Sequence, residues 1–226
     1  MGRTKEPTVC FHPTDAVMDY CNCWGKDNKN AKILILGTDP TAPNKSGLLV
    51  KNIHYPFGLE PRDTDKRFLR NPYFSSIYNN LHELFGKDTD IDRFIMENVI
   101  VMNAVDKLLY DTEKKKYITT GECFRTKGNR ERWIEQLKNG NALKDIQKLA
   151  KGKIVLLTSK YLLECFEDNV REEGYKLTEY PEELPKSFHK NENMWGANIV
   201  PFYRHYKYML NKNENKKYKD YILDIF

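Results

Sequence analysis

The sequence lacks the features that mark secreted, disulfide-bonded and membrane-spanning proteins. Its 226 residues include five cysteines, an odd number that argues against a disulfide framework and for a reducing, cytoplasmic setting. The longest uninterrupted apolar runs are only four residues long, far short of a membrane span. Because the first residues are polar and no apolar stretch follows them, we also expect no signal peptide.

The charge balance is mildly basic. Lysine and arginine total 37 against 32 aspartate and glutamate residues, which gives a net charge of +5 and a pI near 8.8. This excess permits a polyanionic partner but does not require one. We expect the charge runs Glu113–Lys116 and Lys216–Lys217 to be solvated surface. An apolar fraction of 40% predicts a real core, and the length suits a single domain covering residues 1–226.

Four short, β-branched apolar runs predict buried strands. They are Ile33–Leu36, Val99–Met102, Ile154–Leu157 and Asn198–Val200. None alternates with polar residues, as expected for strands covered on both faces of a parallel sheet. Apolar residues at helical spacing lie between the runs, at Tyr73–Phe85, Trp133–Leu149 and Tyr161–Phe166, and again at Tyr218–Ile225. The pattern predicts an α/β fold, a three-layer sandwich with a small central four-stranded parallel sheet flanked by helices.

Polar side chains follow each predicted strand. Asp39, Asn103, Thr158–Ser159 and Tyr203–His205 come after the first, second, third and fourth runs. Ligands of open parallel sheets bind beyond the carboxyl ends of the strands. We therefore expect a carboxylate, an amide, hydroxyls and a histidine to meet in one crevice.

Several short stretches resemble motifs of the uracil-DNA glycosylase superfamily, in the order of that superfamily. The turn Gly37–Pro40 (GTDP) resembles its first motif, a Gly-x-Asp-Pro turn after the first core strand. The others are a loop with a base-stacking aromatic, the following helix, the strand ending in a base-reading Asn, and the last strand with its histidine loop. They correspond to Tyr55–Gly58, Asn71–Leu81, Val99–Val105 and Ile199–Leu210. The resemblance covers a core of about residues 30–210.

The resemblance implies a DNA repair enzyme of base excision repair. Such an enzyme flips a damaged nucleotide out of DNA and hydrolyses the N-glycosidic bond of uracil or a related deaminated base by water attack. It implies DNA as the partner, single- or double-stranded, no metal or other cofactor, and a monomer. Which deaminated base is preferred stays open.

The resemblance also implies a role for individual residues. Asp39 orients or deprotonates the water and stabilises the cationic sugar, and His205 stabilises the departing base. Asn103 pairs with the polar edge of uracil, and Phe57 stacks on the extruded ring. The remaining substrate contacts are assigned to Thr38 and Arg204.

The last motif departs from the superfamily pattern. The superfamily usually has His-Pro-Ser, whereas this chain reads His205-Tyr206-Lys207. A strict alignment from Val200 places Arg204 in the histidine position, so either residue can be the electrophile. The departure supports an alternative, a catalytically silent module of the same fold that binds nucleic acid or a nucleobase. An unrelated α/β nucleotide-binding or hydrolytic protein is a second alternative.

Each candidate residue also has a purely structural interpretation. Asp39 suits a helix cap, and Asn103 suits a strand-end residue bonded to loop backbone. Phe57 suits a core aromatic beneath a loop, and His205 suits a surface histidine among tyrosines.

Four potential metal ligands lie near the N-terminus. They are Cys10, His12, Cys21 and Cys23. Their one-residue spacings are poor for closing a tetrahedral zinc site, so we favour inert thiols over zinc.

Overall fold

The computed structural model describes residues 7–15, 19–49, 54–58, 74–86, 88–166, 180, 186–193 and 195–226. Within these ranges the chain has a mixed α/β fold with two β-sheets, one of five strands and one of three. The α/β class predicted from the apolar runs is therefore confirmed. The division into domains stays a prediction.

The strands and helices alternate along much of the chain. The described strands are Val9–Pro13 (β1), Cys23–Trp24 (β2), Ile33–Gly37 (β3), Val99–Asn103 (β4), Lys107–Asp111 (β5), Lys116–Tyr117 (β6), Ile154–Leu157 (β7) and Asn198–Pro201 (β8). The described α-helices are Ser75–Phe85 (α1), Ile91–Asn98 (α2), Thr120–Cys123 (α3), Lys127–Asn139 (α4), Asn141–Ala150 (α5) and Lys216–Leu223 (α6). Short 3₁₀ helices lie at Pro56–Gly58, Lys160–Phe166, Lys186–Phe188, Tyr206–Tyr208 and Asn213–Asn215.

The five-stranded sheet contains all four predicted strands. Its spatial order is β2-β4-β3-β7-β8, and β4, β3, β7 and β8 run parallel to one another. Every residue of β3 and β4 is buried, which explains the apolar runs without alternation, since both faces of these strands are covered. The sheet has one strand more than predicted, because the two-residue strand β2 pairs antiparallel with β4 at its edge. Two residues are too few to produce a recognisable sequence pattern.

The second sheet was not predicted from the sequence. Its order is β1-β5-β6, all antiparallel, and the turn between β5 and β6 contains part of the charge run. Glu113 and Lys114 are exposed as expected, but their backbone N–H groups donate to the buried carboxylate of Asp111. The Lys114 ammonium lies 2.9 Å from the same carboxylate. Lys116 is half-buried, so the expectation of a wholly solvated run is only partly correct.

The helical predictions are confirmed in most places. The apolar residues Ile77, Leu81 and Leu84 are buried along α1, whereas Tyr73 lies outside the described residues. The stretch Trp133–Leu149 forms two helices, α4 and α5. After β7 the chain forms a 3₁₀ helix at Lys160–Phe166. None of the helices in the described part of the chain combines the length and apolar composition that crossing a bilayer requires.

Backbone hydrogen bonds fix the turn after β3 at the carboxyl edge of the larger sheet. The Gly37 and Thr38 carbonyls accept bonds from Ala104 and Val105, which continues the pairing of β3 and β4 beyond the strands. On the other side, the Thr41 hydroxyl accepts a 2.8 Å bond from the Leu109 backbone N–H of β5. The turn that contains Asp39 is therefore attached to both sheets.

Candidate functional site

A cavity of about 250 Å³ opens at the carboxyl edge of the five-stranded sheet. Five of the six predicted site residues line it, namely Thr38, Asp39, Phe57, Asn103 and Arg204. Tyr20 and Thr120, which sequence reasoning missed, line it as well. The cavity is smaller than the about 300–1,000 Å³ typical of ligand pockets, a size that suits a single ring rather than an extended ligand.

Asp39 is the acidic group of the cavity. Its side chain is half-buried, and Oδ1 accepts a 3.0 Å hydrogen bond from the backbone N–H of Thr41. The Thr120 hydroxyl donates to Oδ2. The described residues from Pro40 to Leu49 form no helix, so Asp39 closes a local turn rather than capping a helix. Both carboxylate oxygens are thus oriented by donors from different parts of the chain.

The environment of Asp39 makes it a stronger base than an ordinary aspartate. Burial raises the pKa of its carboxyl, and hydrogen bonds from Thr120, Thr41 and Thr38 oppose that rise without cancelling it. The ionised form is therefore less favoured than in water and has a greater tendency to take up a proton. A carboxylate with this property at a cavity wall suits general-base chemistry.

Thr120 reaches Asp39 because α3 begins beside the turn. Thr119 caps α3, accepting a bond from the Glu122 backbone N–H while the Glu122 carboxylate accepts one from the Thr119 N–H. This reciprocal cap fixes the orientation of the first helical residue, Thr120, whose hydroxyl also lies 2.9 Å from that of Thr38. The Thr-x-x-Glu spacing signals a helix start in the sequence. Nothing in the sequence signals that the start meets Asp39.

Asn103 is the last residue of β4 and pairs with Gly37 on the neighbouring strand β3. The amide is buried, and its Nδ2 donates a 2.6 Å bond to the hydroxyl of Tyr20. It is therefore bonded to a side chain, not to loop backbone as in the structural interpretation of the sequence. Gly37 provides the space, since a Cβ there would clash with the Asn103 amide oxygen and lie 2.9 Å from the Phe57 ring.

Phe57 is held over the cavity by an unusual backbone conformation. It lies in the 3₁₀ turn Pro56–Gly58 with φ of 61°, a left-handed value that is uncommon for a bulky residue. Its ring contacts the buried Phe74 at 5.9 Å between centroids, and the Arg204 guanidinium lies 5.0 Å from the ring centroid. Phe57 thus packs against the core and also lines the cavity. Its structural interpretation as a core aromatic is therefore compatible with a position from which it could stack on a ligand.

His205 is the predicted site residue that lies outside the cavity. Its side chain is exposed, it accepts a bond from the Lys207 N–H at Nδ1, and its ring centroid lies 4.4 Å from that of Tyr206. It lines a neighbouring cavity instead, together with Arg204, which lines both. This is the arrangement expected for a surface histidine among tyrosines. Arg204, and not His205, is the basic side chain that lines the same cavity as Asp39.

The N-terminal cysteines and histidine lie on two different sheets. Cys10 and His12 are on β1, with Sγ and Nε2 3.4 Å apart, whereas Cys23 is on β2. Among the described residues, no three His, Cys, Asp or Glu side chains converge to hold a metal ion. Burial raises the pKa of the Cys23 thiol to about 12, and it also raises that of Cys10. Both thiols are therefore protonated at neutral pH.

No protein-family model matches this sequence, and no curated protein sequence matches it either. The chemistry of the site accordingly rests on its geometry. A carboxylate of raised pKa, an amide, an aromatic ring and a guanidinium surround one ring-sized cavity.

Proposed function

We propose that this protein is a uracil-DNA glycosylase-like enzyme, a single-domain cytoplasmic member of that superfamily with its three-layer sandwich. It would release uracil or a related deaminated base from DNA by water attack on C1′ after base flipping. One observation carries the proposal. The oriented carboxylate of Asp39 faces the same cavity as the Asn103 amide, the Phe57 ring and Arg204.

The reaction requires charge stabilisation on both sides of the broken bond. As the C1′–N1 bond breaks, its electron pair goes to the base, and the oxygen of water forms a bond to C1′. Asp39 would accept the proton of that water and stabilise the cationic sugar. Its raised pKa and its contact with the cavity support this role. The base leaves as an anion and is then protonated by solvent.

Arg204 suits stabilisation of the departing base better than His205 does. It lines the cavity of Asp39, and a guanidinium keeps its charge at any working pH. Its guanidinium lies over the Phe57 ring, 5.0 Å from the centroid, so it is next to the ring on which the base would stack. His205, exposed in the neighbouring cavity, would act on another part of the strand.

Asn103 and Tyr20 together would read the base. An amide can donate to O4 of uracil and accept from N3–H, a pattern that cytosine does not offer. Tyr20 accepts one of the two hydrogens on Nδ2, which leaves the second hydrogen and Oδ1 for the base. Phe57 would stack on the ring.

The test is uracil release from single-stranded and duplex DNA by the wild type and Asp39→Asn. We expect release by the wild type and a loss of at least about a hundredfold in Asp39→Asn, the scale of removing a general base. Asp145→Asn, an exposed aspartate on α5, is the matched control and should retain full activity. A wild type inactive on every deaminated base would overturn the proposal.

The position of His205 favours a second candidate, a catalytically silent module that binds nucleic acid or a nucleobase. In this case the last motif would have lost its catalytic role, and the exposed His205 would be its remnant. The same experiment separates the candidates. Wild type and Asp39→Asn that are equally inactive but bind DNA equally well would establish the module.

A further inference from the structure

One edge of the three-stranded sheet is only partly covered. Among the described strands β1 pairs with β5 alone, so its other edge is open for pairing. The Asn129 side-chain oxygen accepts a 3.1 Å bond from the Val9 N–H, and the Arg132 guanidinium donates a 2.7 Å bond to the Val9 carbonyl. These two bonds from α4 satisfy the outward-facing main-chain groups of Val9. Helix α4 therefore closes the edge at the beginning of β1.

Phe11 presents the next outward-facing main-chain groups of β1. Its register partner on β5 is Leu109, whose N–H donates to the Thr41 hydroxyl and whose carbonyl accepts from the Ile118 N–H. Both polar groups of Leu109 thus point away from β1, so Phe11 and Leu109 form a non-hydrogen-bonded pair of the antiparallel ladder. The N–H and C=O of Phe11 consequently point to the open edge, and no main-chain group in the described part of the chain bonds to them there.

A cavity of about 330 Å³ lies beside Phe11, and we call it the β1–α4 groove. Its strand wall consists of Cys10 and Phe11, and its helix wall is one face of α4, at i, i+3, i+4 and i+7 spacing. The helix wall consists of Arg132, Glu135, Gln136 and Asn139. The volume lies within the about 300–1,000 Å³ typical of ligand pockets. None of these residues lines the Asp39 cavity, so the groove is a separate site.

Both walls of the groove carry hydrogen-bonding groups that suit a peptide main chain. Phe11 offers one main-chain donor and one acceptor, and the amides of Gln136 and Asn139 on the opposite wall each offer both. An extended peptide presents its N–H and C=O groups alternately to its two sides, so it needs such partners on each. An edge strand with unpaired main-chain groups is a template for exactly one more strand on that side. The groove therefore suits an extended peptide.

Two charges give that peptide a direction. Arg132 lies at the closed end, beside Val9, and Glu135 follows about one helical turn further along α4. A guanidinium binds a carboxylate through two parallel bonds, and the bond to Val9 uses only one of its about five N–H donors. A strand antiparallel to β1 ends at Arg132 with its terminal carboxylate, and a basic residue shortly before that end lies near Glu135. A parallel strand would instead bring an N-terminal ammonium to Arg132, which repels it.

We propose that the β1–α4 groove binds the C-terminal end of a polypeptide partner as an extended strand antiparallel to β1. Phe11 exchanges two main-chain bonds with one residue of the partner, and Arg132 binds the terminal carboxylate. Main-chain bonds give affinity without demanding one sequence, so the partner is defined by an extended C-terminus with a basic residue shortly before it. The inference goes beyond the proposed activity and does not depend on it.

The test measures binding of a fluorescein-labelled pentapeptide, valine-threonine-lysine-threonine-valine, by fluorescence anisotropy. The peptide is used with a free C-terminal carboxylate and with a C-terminal amide. We expect the wild type to bind the acid form about tenfold more tightly or better, the scale of a hydrogen bond between charged groups. Arg132→Gln should lose that preference. Lys138→Gln, which removes an exposed charge from α4 outside the groove, should keep it.

Comparing the two peptide forms within one variant separates recognition from stability. Arg132→Gln also loses the bond to the Val9 carbonyl, so its fold is expected to be less stable. A less stable variant binds both forms more weakly, but only loss of the carboxylate contact makes the two affinities equal. Equal affinity of the acid and amide forms for the wild type would overturn the inference, and so would the absence of binding.

Hydrogen exchange identifies the edge to which the peptide binds. The Phe11 N–H should exchange more slowly when the acid peptide is saturating, whereas the N–H groups of Cys10 and His12, which face β5, should be little affected. Methylation of the peptide nitrogens one at a time should weaken binding most at every second residue, because those N–H groups face β1. Unchanged exchange at Phe11 would show that the peptide does not extend the sheet and would refute the proposal. Uracil release is not measured, so the result stands whatever Asp39 does.

Discussion

The Thr120 hydroxyl donates a hydrogen bond to the carboxylate of Asp39, a residue 81 positions earlier in the chain. Thr120 is the first residue of α3, and Asp39 lies in the turn after β3. The same carboxylate accepts a bond from the Thr41 N–H, so it is oriented from two sides. Burial disfavours the ionised form of this carboxylate and raises its pKa. The same rise in pKa therefore affects both the stability of the fold and the basicity of the site.

Asp39→Asn should stabilise the protein at neutral pH. Burial raises the folded pKa of Asp39 above the ordinary value of 3.8, so the folded state binds a proton more readily than the unfolded state. Stability therefore falls as pH rises from 3.8 through the folded pKa, and the full penalty applies above it. Asparagine carries no charge; its Oδ1 can still accept from the Thr41 N–H, and its Nδ2 can donate to the Thr120 hydroxyl, which keeps that contact with the direction of the bond reversed. Urea unfolding should show the variant as the more stable form at pH 7, with the gap closing toward pH 3.8. A gap that is independent of pH would contradict the role of the charge.

Thr120→Val should move the acid limb of the pH–rate profile to higher pH. The variant removes a donor to ionised Asp39, so its pKa rises further and a larger fraction is protonated at a given pH. We expect a stability loss of about 1 kcal/mol from the lost hydrogen bond. Thr89→Val, which loses a bond to the Phe85 carbonyl, is the matched control. It should lose similar stability and keep the wild-type profile, measured as kcat/KM between pH 4 and 8. An unchanged profile for Thr120→Val would show that Asp39 does not limit the rate.

The strands and the Asp39 turn could be predicted because they leave local patterns. Apolar runs such as Ile33–Leu36 reflect burial on both faces, and parallel strands bring their carboxyl ends to one edge whatever the connections. Asp39 and Asn103 were therefore placed correctly at one cavity from the sequence alone. Neither inference required knowing any side-chain contact.

Tyr20 and Thr120 could not be predicted, because each enters the site from a segment without a periodic pattern. Tyr20 precedes the two-residue strand β2, and Thr120 follows the hairpin of a sheet that the sequence did not reveal. Their positions depend on long-range packing of that second sheet. His205 is the opposite case. The order of the motifs predicted that it lines the cavity of Asp39, but the loop after β8 places it in the neighbouring cavity.

Gly37→Ala should damage both the fold and the site. The new Cβ would clash with the Asn103 amide oxygen, and Asn103 cannot move away without breaking its bond to Tyr20. We expect a loss of about 1–3 kcal/mol in the free energy of unfolding, as for overpacking of a buried site. Gly128→Ala is the control, because its Cβ would meet Pro7 at an ordinary 3.4 Å within α4. That change should be neutral or stabilise by up to about 1 kcal/mol. Equal effects in thermal unfolding would mean that Gly37 has no special packing role.

Tyr20→Phe should reduce the discrimination between uracil and cytosine. The Tyr20 hydroxyl lies 3.5 Å from Asn22 Oδ1, toward which its proton points, so its oxygen accepts from Asn103 Nδ2. This bond holds the amide with its donor and acceptor in the order that uracil requires. Burial raises the pKa of the Tyr20 hydroxyl well above its usual range, so the proton stays in place at any working pH. Without the hydroxyl the amide can turn over and match cytosine, and we expect the ratio of the two kcat/KM values to fall about tenfold.

Tyr117→Phe is the matched control for Tyr20→Phe, because it removes a hydroxyl 3.3 Å from His12 Nδ1 in the smaller sheet. It should leave the ratio of rates on uracil- and cytosine-containing oligonucleotides unchanged. A Tyr20→Phe enzyme slowed equally on both would mean that Tyr20 supports the cavity wall without orienting the amide. If the ratio falls while the melting temperatures of the two variants agree, the bond between Tyr20 and Asn103 determines which base is accepted.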